Sequence, residues 1–257
     1  MTHPPVDILQ KFNPVSLDEM DSIRLMNRTD TKFTFHISKL EGVLQKSMSF
    51  YRVLEVEGVR WPVYRTIYYD TPGLQLYHAH QNGKLNRYKI RQREYTVSGT
   101  CFLETKFKSN KNRTIKKRTR IDKLEESLSE RSMKFLGKNA DFIKDKLSYV
   151  LTNRFNRITL VSLERNERIT IDFNLEYERN GEIKSLPYLV IAEIKQEGFS
   201  NSTEFIKILR SERVYPSGMS KYCIGILQFF PDIKYNRFKA RLLSLNKLKN
   251  EPIIASY

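Results

Sequence analysis

Cysteine is nearly absent: only Cys101 and Cys223 occur, and they do not form a Cys-x-x-Cys pair. That excludes a disulfide framework and argues against a structural zinc site, so a reducing compartment is the default. Glycine (10) and proline (9) are too few over 257 residues for a collagen-like or linker-dominated chain. No run of about 18 apolar residues exists, the length a helix needs to cross a bilayer. The first residues, Met1-Thr-His-Pro-Pro-Val-Asp7, lack the basic start and apolar run of a signal peptide. The expected location is the cytosol. Phosphate-binding Gly loops, the kinase signatures and the Gly-x-Ser-x-Gly elbow are all missing. His78-x-His80 reads as a surface turn before a metal pair, and no His–Cys spacing suggests a thiol nucleophile.

Positive charge is what the chain has. Lys and Arg number 45 against 29 Asp and Glu, a net +16. Such an excess implies an anionic partner: nucleic acid, polyphosphate, nucleotide or a lipid surface. The 15 Phe and 14 Tyr argue for a packed core rather than disorder.

The pattern of elements points to an α+β fold. Ser16 to Asn27 reads as a short helix or turn, and Asn27 to His36 as a strand rich in Thr and Phe. Ser38 is the expected N-cap of a helix to about Met48, with Leu40, Val43, Leu44 and Ser47 at helical spacing. Tyr64 to Asp70 is a strand ended by the Thr71-Pro-Gly73 turn, and Leu74 to His80 a short helix. Arg87 to Tyr95 and Cys101 to Lys108 form a hairpin around Ser98-Gly99, and Lys111 to Ile121 adds a strand. Ser129 to Leu151 is helical in pattern. Asn153 to Leu163, Arg168 to Leu175 and Tyr188 to Lys195 are strands, with Asn180-Gly181 as a turn before the last. Ser202 to Arg213 and Tyr222 to Phe230 read as helices. A basic tail from about Lys234 to Lys249 closes the chain. No repeat or linker divides residues 1–257, so one domain of about eight antiparallel strands is expected.

The charges lie within the strands. Residues two apart share a strand face. Arg87, Lys89, Arg91 and Arg93 therefore share one face, as do Glu104, Lys106 and Lys108, and Glu193 with Lys195. A solvated face ordinarily mixes signs. A face carrying cations alone is tolerable if something strongly anionic sits on it. Glu104, Asp172 and Glu193 lie among these bases, either as internal salt-bridge partners or as carboxylates that hold Mg²⁺ or Mn²⁺ beside phosphate.

From about Asn27 to Ile233 the sequence resembles the polyphosphate polymerase domain of the vacuolar transporter chaperone family, a branch of the triphosphate tunnel metalloenzymes. The matching stretches fall in the family's order: Arg28-Thr-Asp-Thr-Lys-Phe33, Ile67-Tyr-Tyr-Asp-Thr71, Lys89-Ile-Arg-Gln-Arg93, Phe102-Leu-Glu-Thr-Lys106, Asn153-Arg-Phe-Asn-Arg157, Arg168-Ile-Thr-Ile-Asp172, Ala192-Glu-Ile-Lys195 and Ser220-Lys221-Tyr222. The resemblance implies an eight-stranded antiparallel tunnel with helices packed outside. It implies transfer of the γ-phosphate of ATP, or another nucleoside triphosphate, to inorganic polyphosphate with Mn²⁺ or Mg²⁺. Carried over by position, Lys32, Arg91, Arg93, Lys106, Arg154, Arg168, Lys195 and Lys221 are implied to contact phosphate, with Arg65 and Lys117 as further contacts. Glu193 is implied as the metal ligand.

Two departures bear on the reading. Hydrolase branches carry Glu-x-Glu-x-Lys on the first strand, whereas here Arg28-Thr-Asp-Thr-Lys32 has only Asp30. That favours the polymerase branch. The membrane helices and phosphate-sensing domain of eukaryotic relatives are not in this sequence, so export of product would need a separate membrane protein. Two alternatives stay open: a triphosphatase of the same superfamily acting on inorganic triphosphate or RNA 5′ ends, and a non-enzymatic binder of polyphosphate or nucleic acid. No specific nucleic acid is expected. The basic tail reads as a solvated helix, with contact to acidic lipid at the inner face of a membrane as its second reading.

Overall fold

The computed structural model describes residues 6–22, 28–111, 113–140, 146–198, 200, 202–218 and 220–251. In chain order the elements are α1 (Val6–Gln10), β1 (Pro14–Val15), α2 (Leu17–Ser22), β2 (Arg28–His36), α3 (Leu40–Ser47), β3 (Tyr51–Leu54), β4 (Val63–Asp70), α4 (Gln75–Gln81), β5 (Arg87–Tyr95), β6 (Thr100–Lys108), β7 (Thr114–Ile121), α5 (Glu130–Asn139), β8 (Ser148–Ser162), β9 (Glu167–Arg179), β10 (Glu182–Leu186), β11 (Leu189–Glu197), α6 (Glu204–Ser211), α7 (Lys221–Phe229) and α8 (Lys239–Lys249). Asn27 and residues 141–145, expected in a strand and a helix respectively, lie outside the described residues.

All the strands join one sheet. Its main path runs β2-β11-β9-β8-β4-β5-β6-β7, eight strands as expected, and every pairing along it is antiparallel. The strands β1, β3 and β10 extend it at the sides. β2 and β7 end the path and do not pair with each other among the described residues. The sheet is not closed but curls far enough that Lys106 on β6 feels the charges of Glu193, Lys32 and Asp30 on β11 and β2.

Alternation along the strands explains the curl's two faces. On the outer face, Phe33, Phe35, Ile158, Leu160, Ile169, Ile171, Ala192 and Ile194 are buried beneath α1, α3 and α6. Ile67, Tyr69, Ile90, Cys101, Leu103 and Ile121 are buried beneath α5. The intervening polar residues are left to the concave face. Burying the apolar stripe while leaving the other wet is the ordinary economy of an antiparallel sheet, but here the wet face is turned inward.

Helices pack outside the sheet as expected, and α7 closes one end of its interior. Gly225 of α7 lies so close to Tyr177 and Leu151 that a Cβ there would stand 2.7 Å from the tyrosine ring and 3.0 Å from Leu151. Both partners share register rows with the concave-face arginines: Leu151 with Tyr68 and Arg91, Tyr177 with Asn153, Thr66 and Arg93. So α7 fills one end of the interior. Tyr222 anchors it by donating to Asp70 at 2.5 Å, a carboxylate that also accepts from the amides of Thr71, Leu76 and Tyr77.

Three local expectations are corrected. The region Ser129 to Leu151 is not one helix: Ser129 caps α5, which ends at Asn139, and β8 begins at Ser148. Tyr149, Val150 and Leu151 are apolar on both strand faces, which imitates a helical run. His36, not Ser38, caps the turn before α3: its Nδ1 accepts from the Ser38 amide and a 3₁₀ turn precedes α3. The Asn180-Gly181 turn, with both residues at positive φ (51° and 80°), joins β9 to β10, a polar strand that had no apolar alternation to reveal it.

Candidate functional site

The concave face gathers charge from seven strands and from the start of α7. Eight of the residues singled out in the sequence share it. Lys32, Glu193 and Thr170 form one register row, and Lys195 with Arg168 the next. Arg91 and Arg93 come from β5, Lys106 from β6 and Lys221 from the first turn of α7.

Each of three carboxylates on this face is clasped by two cations. Glu193 accepts from Lys32 and, at 2.9 Å, from Lys195. Glu104 forms ion pairs with Lys116 and, at 2.7 Å, with Arg91. Asp172 takes Arg157 bidentately at 2.6 and 2.8 Å and also Lys221. Burial alone would raise all three carboxyls. The cations win: Glu104 is held down to about 2 by Arg91, Arg93 and Lys116, Asp172 far below its usual range by Arg157 and Lys221, and Glu193 likewise by Lys195 and Lys32.

Cations remain over after this pairing. Lys89 stands directly opposite Lys106 across the β5–β6 hairpin. Neither has a carboxylate within ion-pair distance among the described residues. Burial brings Lys89 down to about 8, with the neighbouring cations adding to the shift, and lowers Lys106 as well. Among the described residues Arg93 donates only to Thr66, at 3.3 Å, and it lies over the rings of Tyr64 and Phe155 at 5.7 and 5.9 Å. The same stacked aromatic pair carries Arg157 at 4.9 and 5.3 Å, and Lys221 sits 4.5 Å from Phe155. The rings fix the planes of the guanidinium groups without neutralising them.

Three expected contacts are not on this face. Arg65, Arg154 and Lys117 point to the outer side and are exposed. Arg65 and Arg154 are cross-strand partners there. The reason is parity. Arg65 alternates with Ile67 and Tyr69, Arg154 with Ile158 and Leu160, and Lys117 with Ile121, all on the helix-covered face. Their places inside are taken by Arg157 and Lys116, which the same counting back from the buried apolar residues identifies. Lys89 was legible in the all-cation face of β5.

A divalent metal fits the donor chemistry here only in part from protein. Among the described residues no group of three or more His, Cys, Asp or Glu side chains converges. Glu193 has Asp30 close by on the same face, since Lys195 feels both. Mg²⁺ and Mn²⁺ are commonly held by one or two carboxylates with phosphate oxygens completing the shell. Glu193 suits that kind of site, one assembled with a phosphate ligand.

The fold and face define a curled antiparallel sheet whose interior presents excess positive charge to an anion. Residues 27–230 match the VTC domain family, and the chain belongs to that family. Several solved structures are similar to it in fold. One is an adenylate cyclase candidate from Vibrio parahaemolyticus, 13% identical, TM-score 0.45, covering 77% of this chain and 97% of that one. Another is an adenylate cyclase candidate from Bacillus halodurans, 14% identical, TM-score 0.44, covering 80% and 100%. A third is HpAC1 from Hippeastrum, described as having a dominant triphosphatase activity, 16% identical, TM-score 0.48, covering 77% and 94%. A search of curated protein sequences returns no match. No described helix is long and apolar enough to cross a membrane.

Proposed function

We propose that the chain is a polyphosphate polymerase that transfers the γ-phosphate of ATP to a polyphosphate chain held in the concave interior. The observation that carries this reading is the unneutralised row of Lys89 and Lys106, with Arg93 beyond the Arg91–Glu104 pair on the same face, where the other paired cations among the described residues each hold a carboxylate. Leaving like charges opposed on neighbouring strands costs stability. A ligand that brings several negative charges on a narrow chain removes the cost.

In this reading Lys32, Lys89, Arg91, Arg93, Lys106, Arg157, Arg168, Lys195 and Lys221 grip phosphate oxygens. Arg93 and Arg157, held in plane by Tyr64 and Phe155, do so with two donors each. Arg65, Arg154 and Lys117 take no part. A terminal oxygen of polyphosphate forms the new bond to the γ-phosphorus. The bond from that phosphorus to the β–γ bridging oxygen breaks, and its electron pair leaves with ADP. No proton need change hands. The interior cations spread the charge that builds on the transferring oxygens. Glu193 would hold Mn²⁺ or Mg²⁺, which when bound supplies further charge neutralisation at the phosphates.

The three clasped carboxylates support this choice of acceptor. Water as the nucleophile is helped by a general base. Glu104, Asp172 and Glu193 are all held ionised by two cations each and are poor bases. An acceptor that is already an anion has no need of one. The test is incubation of the purified protein with ATP and Mn²⁺, with and without a pyrophosphate primer, followed by gel separation of the products. A ladder of chains is expected. Orthophosphate without chains would replace this reading with a triphosphatase.

A further inference from the structure

The cations do not stop where the interior ends. The β5–β6 register carries them outward in steps. Arg91 faces Glu104 and is neutralised; one row out, Lys89 faces Lys106; one row further, Arg87 faces Lys108. Alongside these rows lies His80 on α4, whose ring feels the charges of Lys89, Arg87 and Lys108 from the sheet and of Arg241 from α8. Three separate elements thus bring positive charge to one place. Among the described residues none of Arg87, Lys108 and Arg241 has a carboxylate within ion-pair distance. The Nδ1 of His80 is buried and makes no hydrogen bond.

The tail is fixed in this position rather than merely near it. Phe238 is buried against the ring of His80 at 5.9 Å and that of Tyr77 at 6.2 Å. Arg237 donates to the carbonyl of Asn82, and Tyr77 donates to that of Lys234 at 3.0 Å. Leu245 is buried in the same cluster. Arg241 is left exposed on α8 beside the end of the cation ladder.

We propose that Arg87, Lys108, His80 and Arg241 form an outer phosphate subsite, which takes up a polyphosphate chain where it passes between the concave interior and the surface of α8. The inference rests on the reading under Proposed function and extends it to chain length: a short anion fills the interior, and a long one also engages this subsite. Burial and the surrounding cations keep His80 neutral, its pKa pushed down to about 2, so it offers one N–H to a phosphate oxygen without adding charge. Inorganic polyphosphate suits the cluster better than single-stranded nucleic acid. The aromatic rings packed at the cluster, Phe238 and Tyr77, are both buried and offer no open face for a base to stack on.

The test is calorimetric titration of the full chain with inorganic triphosphate and with long-chain polyphosphate, for the wild type, Arg241→Ser and Lys108→Ser. The wild type should bind the long chain more tightly. Each variant should lose roughly tenfold in long-chain affinity, the scale of one charge-assisted contact, and keep its affinity for triphosphate. Arg241 is exposed, so its replacement leaves the fold intact, and thermal unfolding checks this. Long-chain affinity unchanged in both variants overturns the subsite. Equal losses for both ligands overturn it too, since the effect would then lie in the interior. An oligonucleotide that binds as tightly as polyphosphate, and is equally weakened by the variants, overturns the choice of ligand. A wild type that binds neither phosphate ligand fails at an earlier step and overturns the interior reading itself.

Discussion

Lys89 and Lys106 face each other directly across the β5–β6 hairpin, with no carboxylate to separate them. Their neighbours one row deeper, Arg91 and Glu104, form the ion pair that a sheet would normally place at such a position. The contrast marks where the interior stops satisfying itself and begins to need a ligand. Under the proposed function the ligand is compact and multiply charged, able to relieve the repulsion among several lysines at once.

The lysines give the binding a pH dependence. Burial brings Lys89, Lys195 and Lys221 down to about 8. A phosphate chain favours their charged forms and raises these values again. Triphosphate affinity should therefore be greatest below about pH 8 and fall as pH rises through it. Binding near pH 8 should take up protons, seen as a dependence of calorimetric heat on the buffer's ionisation enthalpy. Stability without ligand has the opposite sign: between about 8 and the unfolded lysine value near 10.5, the unfolded chain binds more protons, so these lysines make the folded state gain stability with rising pH.

Glu193→Gln removes the carboxylate that Lys32 and Lys195 share. The expected loss in Mn²⁺-dependent turnover is about a hundredfold or more. Nucleotide binding without metal should not weaken, because two lysines are released to the phosphates. Initial rates and metal-free titration check the two halves. Full turnover in this variant would remove the metal assignment.

Asp172→Asn leaves Arg157 and Lys221 without their partner in a site where the aspartate side chain is only 3% exposed. Breaking such a pair from one side costs about 3–5 kcal/mol. Thermal unfolding should show the loss. Saturating triphosphate should raise the melting temperature more in the variant than in the wild type, because the anion replaces the missing charge.

Gly225→Ala tests the seat of α7. The added Cβ meets the Tyr177 ring at 2.7 Å. The crowding should cost about 1–3 kcal/mol, in excess of the roughly 1 kcal/mol that alanine gains over glycine in a helix. A variant as stable as the wild type by denaturant titration would place α7 elsewhere.

Much of this was legible in the chain because strand alternation is strict. The all-cation face of Arg87 to Arg93 and the pairs around Glu104 and Glu193 follow from counting by two. The misses follow from counting from the wrong residue. Arg154 and Lys117 look equivalent to Arg157 and Lys116 by charge, and only the buried Ile158, Leu160 and Ile121 fix the parity. Counting from those apolar positions selects the inward set. The double clasp of each carboxylate was not legible, since it joins residues up to 161 positions apart, as in Lys32 and Glu193. Nor was the place of α7: its apolar sequence shows that it is buried, but only the pairing of β4, β5 and β8 shows that it is buried on the concave side.

The central claim is that the unneutralised lysine row receives phosphate, and titration of inorganic triphosphate into Lys89→Ser and Lys106→Ser tests it most directly. Each substitution should weaken binding by about tenfold or more at pH 7, while the ligand-free protein becomes no less stable, because a repulsive pair has been removed. Lys117→Ser, one residue from the clasp on the outer face, should change neither quantity. Triphosphate affinity equal to the wild type in both interior variants would contradict the account.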